Sequence, residues 1–188
     1  MKELLISLLF VFAINSYAGL AKISKIHGEV LVNNQPGKIE QVLNVGDVLV
    51  AKTKKSFFVV EYQNGTRFML KHGVLKIVSL SDLNDTVELK KGTIFSRVRK
   101  SITGNINFSV KTAKASMGVR GTEFFILEDE KESYLCVCDG SVEVRKNLGG
   151  AVLVEKGEDI HVVDGKELLK LPASKQMMSM GNEIFSTF

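Results

Sequence analysis

The chain has 188 residues, 45% of them hydrophobic, with a formal net charge of +4, two cysteines and two prolines. That length supports one sizeable core and leaves no comfortable room for several independent domains. The charge is unevenly placed, with 17 Lys or Arg against 7 Asp or Glu between Gly19 and Arg120, then 7 against 13 from Gly121 to Phe188. A basic first half can mark contact with lipid phosphates, wall polymers or an acidic protein surface. The stronger reading is that of two halves that interleave and pair their charges across neighbouring strands.

Residues 1–18 have the form of an export leader: Lys2 gives a positive start, Leu4 to Ile14 an apolar run, and Ser16-Tyr17-Ala18 the small residues of a cleavage site. The apolar run is well short of the roughly 20 residues that a spanning helix requires, so the expectation is a periplasmic protein with a mature start at Gly19 and no stable membrane span. Export also removes nucleic acid from the expected partners.

From Ile23 to Val163, short runs of β-branched and aromatic residues alternate with glycine turns, which predicts an all-β domain with many short strands. Strands are expected at 25–32, 48–50, 57–62, 67–70, 73–79, 86–89, 93–98, 107–110, 123–127, 133–137, 141–145, 151–154 and 159–163. This spacing suits an antiparallel β-sandwich or rolled β-sheet. Asn64-Gly65 predicts a type I′ hairpin, and Asp139-Gly140 and Asp164-Gly165 repeat the device. Pro36 and Pro172 fall outside the expected strands. Three segments, around Gly46, Gly92 and Gly157, share a pattern of apolar residue, spacers, glycine and new apolar run, and predict three glycine corners between strands. Beyond Leu171-Pro172 the pattern changes. Met177, Met178, Met180 and Ile184 have loosely helical spacing, so residues 171–188 are expected to form a short helix or a tail that packs back on the domain.

Chemistry-bearing residues are sparse. His27, His72 and His161 have no metal-ligand spacing, and no nucleophile elbow, zincin motif or phosphate loop occurs. No catalytic, cofactor-binding or metal residue is assigned, and an enzyme is not expected. Cys136 and Cys138 are two apart on an expected strand, hence on one face with Cα atoms about 6.6 Å apart. They admit three readings: small buried hydrophobes, a strained redox pair, or soft ligands too few to close a zinc site. Phe95, Arg97 and Arg99 alternate on one strand face, so Arg97, Arg99 and the adjoining Lys100 are candidate contacts for an anionic ligand; a solvated, charged strand face reads the same way.

The stretch Phe108 to Met117, followed by Gly118-Val119-Arg120-Gly121-Thr122-Glu123-Phe124 and Phe125-Ile126-Leu127, resembles the central motif of FecR-like periplasmic domains. The order of the surrounding features extends the resemblance over about residues 25–163. It implies a stand-alone FecR-like β domain over residues 19–170, whose Gly118, Val119, Arg120, Gly121, Thr122 and Phe124 are family motif residues of mainly structural use. Arg120 is expected to turn inward onto a carboxylate such as Asp47 or Glu158. In the best-known members this domain follows a membrane helix and a cytoplasmic anti-sigma segment. Neither feature is expected in this sequence, so what carries over is the module: a non-enzymatic part of envelope signalling that contacts an envelope protein. The other class of partner is a cell-wall glycan or anionic envelope polymer held by the basic half.

Overall fold

The computed structural model describes residues 20–81, 84–100, 107–147 and 149–187; the expected leader, 1–18, lies outside them. The chain forms β1 (Ala21–His27), β2 (Val30–Val32), β3 (Gln35–Pro36), β4 (Val48–Ala51), β5 (Phe57–Tyr62), β6 (Arg67–Ser79), β7 (Asn84–Arg97), β8 (Asn107–Lys111), β9 (Ala115–Val119), β10 (Glu123–Glu128), β11 (Ser133–Asp139), β12 (Ser141–Lys146), β13 (Ala151–Glu155), β14 (Glu158–Val162), β15 (Lys170–Pro172) and α1 (Lys175–Phe185). All the strands belong to one open sheet. The all-β expectation with a short C-terminal helix therefore holds.

The sheet is organised by the β6–β7 ribbon. On one edge β7 pairs with β6 along nearly its whole length. On its other edge, Asn84 to Glu88 pair with β8 and Gly92 to Arg97 pair with β10. The change of partner coincides with a bend. His72 has φ 44° and Gly92 φ 100°, and a Cβ at Gly73 or Gly92 would lie 2.1 Å from the carbonyl oxygen of Lys91 or His72, respectively. Only glycine lets the two backbones cross this closely. Each of β6 and β7 is thus one continuous strand where the sequence pattern predicts two short ones. The expected corner at Gly92 lies inside β7, whereas Gly46 and Gly157 do sit between strands, with φ of 95° and 82°.

The bend divides the sheet into two layers. The first carries β2, β3, β4, the far half of β6, the near half of β7, β8, β9, β12 and β13; the second carries β1, β5, the remaining halves of β6 and β7, β10, β11, β14 and β15. Their inner faces make one core that includes Leu75, Ile77, Val87, Val110, Met117 and Val144 from the first and Phe58, Leu70, Ile94, Phe124, Ile126 and Leu135 from the second. Phe108 of β8 meets Phe68 of β6 and Tyr62 of β5 across the gap, with ring centroids 6.3 and 6.0 Å apart. Such interdigitation buries apolar area on both faces at about 25 cal/mol per Å².

A second apolar cluster covers the outer face of the second layer. Val59, Met69, Phe95, Phe125, Tyr134, Cys136 and Cys138 pack there under Phe185 and the partly buried Met177, Met178, Met180 and Ile184 of α1. Ser174 caps the helix, its Oγ accepting the Met177 amide at 3.2 Å. With both faces covered, β11 is buried from Ser133 to Cys138.

Several expectations change. The β5–β6 hairpin forms at Asn64-Gly65, but only Gly65 has positive φ, at 83°. Tyr62 and Thr66 close a three-residue loop with the Gly65 amide bonded to the Tyr62 carbonyl at 2.9 Å, a type I turn with a glycine bulge rather than type I′. Asp139-Gly140 makes no hairpin, because β11 and β12 lie in different layers. Pro36 and Pro172 lie in β3 and β15, each of which pairs with a single neighbour, so the missing N–H faces outward. The small-residue connection before the central motif is β9, with Ala115, Met117 and Val119 inward. The β7–β8 pair is parallel, the one exception to antiparallel pairing among the described strands.

Candidate functional site around the central motif

Gly118 to Phe124 is one of the places where the chain passes from the first layer to the second. Val119 ends β9 in the core, 3% exposed, and Phe124 re-enters it fully buried. Between them, Gly121 takes φ 64°, and a Cβ there would come within 2.2 Å of Lys100 Cγ. Buried Thr122 holds the neighbouring corner: its Oγ1 donates to the Ser141 carbonyl at 2.8 Å and accepts from the Ser141 amide at 3.3 Å. A Cβ on Gly140 would lie 2.8 Å from both the Gly121 carbonyl oxygen and Thr122 Oγ1. The next corner stacks on this one, Lys156 N–H donating to the Gly140 carbonyl at 3.0 Å and Gly157 N–H to that of Val137 at 2.9 Å. The motif is one step in a stack of three corners.

Arg120 does not fold inward. Its side chain is exposed, because the alternation that buries Met117 and Val119 directs Gly118 and Arg120 outward. Its expected partners are engaged elsewhere: Asp47 accepts from Asn33 and from the Asn44 amide, and Glu158 accepts from Lys170 at 2.9 Å, which holds the Glu158 carboxyl below its usual range. Arg120 instead borders a shallow depression lined by Asn84, Ser109, Gly118, Ser141, Glu143 and Leu153. A Cβ at Gly118 would meet nothing nearer than the Glu143 carbonyl oxygen at 4.0 Å, so packing gives no reason for glycine there.

The other three candidate contacts separate. Arg97 is removed from the anion-binding set: its Nε donates to Glu123 at 2.6 Å and its Nη2 to the Phe185 carbonyl at 2.8 Å, with the guanidinium over the Phe185 ring. It fastens the end of α1 to the sheet, and Phe95 on the same face lies under that helix. The reading of this strand face as solvated is corrected with it. Arg99 and Lys100 are exposed, Arg99 beside the Asn64-Gly65 turn and Lys100 across Gly121, so Lys100 and Arg120 flank the same corner. A further basic feature escaped the sequence, which gives no register. Lys76, Glu88, Lys111, Ser116 and Arg145 are consecutive partners across β6, β7, β8, β9 and β12 and line one depression.

A buried ion pair locks the opposite end. Lys114 and Glu128, with side chains 4% and 2% exposed, meet at 3.1 Å. Lys114 Nζ also donates to the Asp129 carbonyl at 2.9 Å, Glu128 accepts from Ser133, and Ser133 Oγ meets Thr112 Oγ1 at 2.8 Å. Burial raises the Glu128 carboxyl above its ordinary value despite Ser133 and Lys114. Both charged groups are satisfied internally, as a joint between the β8–β9 and β10–β11 turns requires. Cys136 and Cys138 are free and buried. Their contact holds Cys136 below the usual thiol range and, together with burial, pushes Cys138 far up. Among the described residues, no three His, Cys, Asp or Glu side chains converge as a metal site, and no helix is long and apolar enough to cross a membrane.

The fold is similar to two crystal structures of a candidate anti-sigma factor from Parabacteroides distasonis. One gives a TM-score of 0.60 at 20% identity, covering 70% of this chain and 62% of that chain. The other gives 0.48 at 20% identity, covering 85% and 63%. The chain thus spans less than two thirds of the length of either. No curated protein matches the sequence. Residues 48–143, from β4 through the central motif to β12, match the sequence profile of the family described as FecR protein. With more than half of its length matched, the chain belongs to the FecR family.

Proposed function

We propose that the protein is a non-enzymatic interaction module of envelope signalling, exported to the periplasm, which binds an acidic surface of another envelope protein through Arg120 and Lys100. Family membership and the naming of a structural neighbour as a candidate anti-sigma factor support a role in signalling. The observation that carries the reading is the exposed Arg120 on a corner whose backbone is fixed by Thr122, Gly121 and Gly140. A fixed backbone removes the loop-ordering part of the cost of binding.

The test is capture from envelope extract with the chain and with Arg120→Glu, at low and high salt. A stoichiometric protein retained by the parent at low salt, weakened at high salt as a contact between exposed charges must be, and lost with Arg120→Glu while the variant keeps its thermal unfolding midpoint, is the expected result. Equal recovery with both chains would overturn it. A second reading, binding of a wall glycan or anionic polymer by the basic first half, is favoured by Lys76 and Lys111, which line one depression together with Arg145 from the second half. Its mark is recovery of polymer alone, lost at high salt.

A further inference from the structure

Three sulfur-bearing side chains, Cys136, Cys138 and Met178, share the cluster where α1 covers β11. Cys136 and Cys138 point from the same face of the strand into the cluster under the helix, and Cys136 Sγ lies 3.8 Å from Met178 Sδ, to which its thiol donates. The helix approaches closely here because residue 181 is glycine: a Cβ would lie 2.5 Å from Cys138 Sγ. Three of the eleven residues of α1 are Met, and Met178 itself is half-buried, so its thioether lies between solvent and the thiols.

We propose that Cys136, Cys138 and Met178 form a binding site for a soft monovalent cation, copper(I) in particular. Two sulfur ligands each about 2.3 Å from one ion in trigonal or tetrahedral geometry stand about 3.8–4.0 Å apart, which is the Cys136–Met178 separation. The ion takes the place of the thiol proton between these two sulfurs, and each thiolate formed releases one proton to solvent. No oxidation is involved. Thiolate and thioether together select copper(I) over harder ions, because they are soft, polarisable donors. The half-buried Met178 gives the entry path: the thioether binds first, and the ion passes to Cys136 beneath it. Zinc is a poor fit, since among the described residues no third His, Cys, Asp or Glu joins the two thiols, and the Tyr134 hydroxyl in the same cluster is already bonded to Asp159 at 2.9 Å.

The experiment is anaerobic titration of the full reduced chain with copper(I) against a chromophoric copper(I) chelator. The expected result is one equivalent of copper(I) held per chain. Loss of an outer-sphere partner already weakens metal sites about 10- to 100-fold, so Met178→Leu is expected to weaken binding about tenfold or more, and Cys136→Ser by about 100-fold or more. Leucine keeps the apolar volume of Met178, so that variant stays folded and decides the matter even if Cys136→Ser does not fold. No copper retained by the parent chain against the chelator would overturn the site. So would Met178→Leu binding as tightly as the parent.

Discussion

Within the central motif, adjacent residues have opposite roles. Arg120 is exposed, so Arg120→Ala is expected to change stability by no more than about 0.5 kcal/mol. Gly121 has φ 64° and Lys100 across it, so Gly121→Ala is expected to cost about 1–3 kcal/mol. Urea unfolding of the two variants checks the contrast, and equal losses would contradict it. At the other end, Lys114→Met leaves the Glu128 carboxylate buried without its cation, and a loss of about 3–5 kcal/mol is expected at neutral pH. Glu128 has a raised folded-state value, so the folded chain holds that proton more tightly than the unfolded one. Its contribution is therefore complete below the ordinary carboxylate range and is lost as pH rises through the raised value. Glutamine has no such proton. The stability penalty of Glu128→Gln should be largest near about pH 4 and shrink toward about pH 7, as thermal unfolding of both chains will report. A penalty that grows with pH would mean that attraction to Lys114 outweighs burial.

Among the elements, the β6–β7 ribbon is the part on which both layers depend. Gly92→Ala places a Cβ 2.1 Å from the His72 carbonyl oxygen, a backbone atom that cannot rotate away, at φ 100°. A loss of about 3 kcal/mol or more is expected by urea unfolding, and a near-neutral result would mean the bend is soft. The strands around this ribbon were legible in the sequence because alternation and glycine mark them locally. What was not legible is where the chain keeps its direction. Lys71-His72 and Lys90-Lys91-Gly92 look like interruptions, yet each is a bend within a continuous strand. Motif residues 118, 121, 122 and 124 could be placed as structural from their types. The outward turn of Arg120 and the capture of Arg97 by Glu123 and Phe185 depend on strand parity and on a helix 88 positions away in the chain. The row from Lys76 to Arg145 is a product of register, which turn chemistry sets and composition does not.

As a whole, the molecule is one sheet folded onto itself with a helix laid on its outside. This arrangement brings some charges of the two uneven halves together. Arg97 pairs with Glu123 and Lys114 with Glu128, so part of the basic excess is met by the second half and part, at Arg99, Lys100 and Arg120, faces solvent. Because β6 and β7 belong to both layers, neither layer can come away while the other keeps its hydrogen bonds. Opening the main core is thus a single cooperative event. The helix is different: it is joined to the sheet by apolar contacts, the Cys136–Met178 contact and the grip of Arg97, with no strand of its own in the ladder. The protein therefore has two units of unequal cooperativity, and amide exchange in β10 and β11 is expected to stay slow while the helix lifts and reseats many times within the lifetime of the folded sheet.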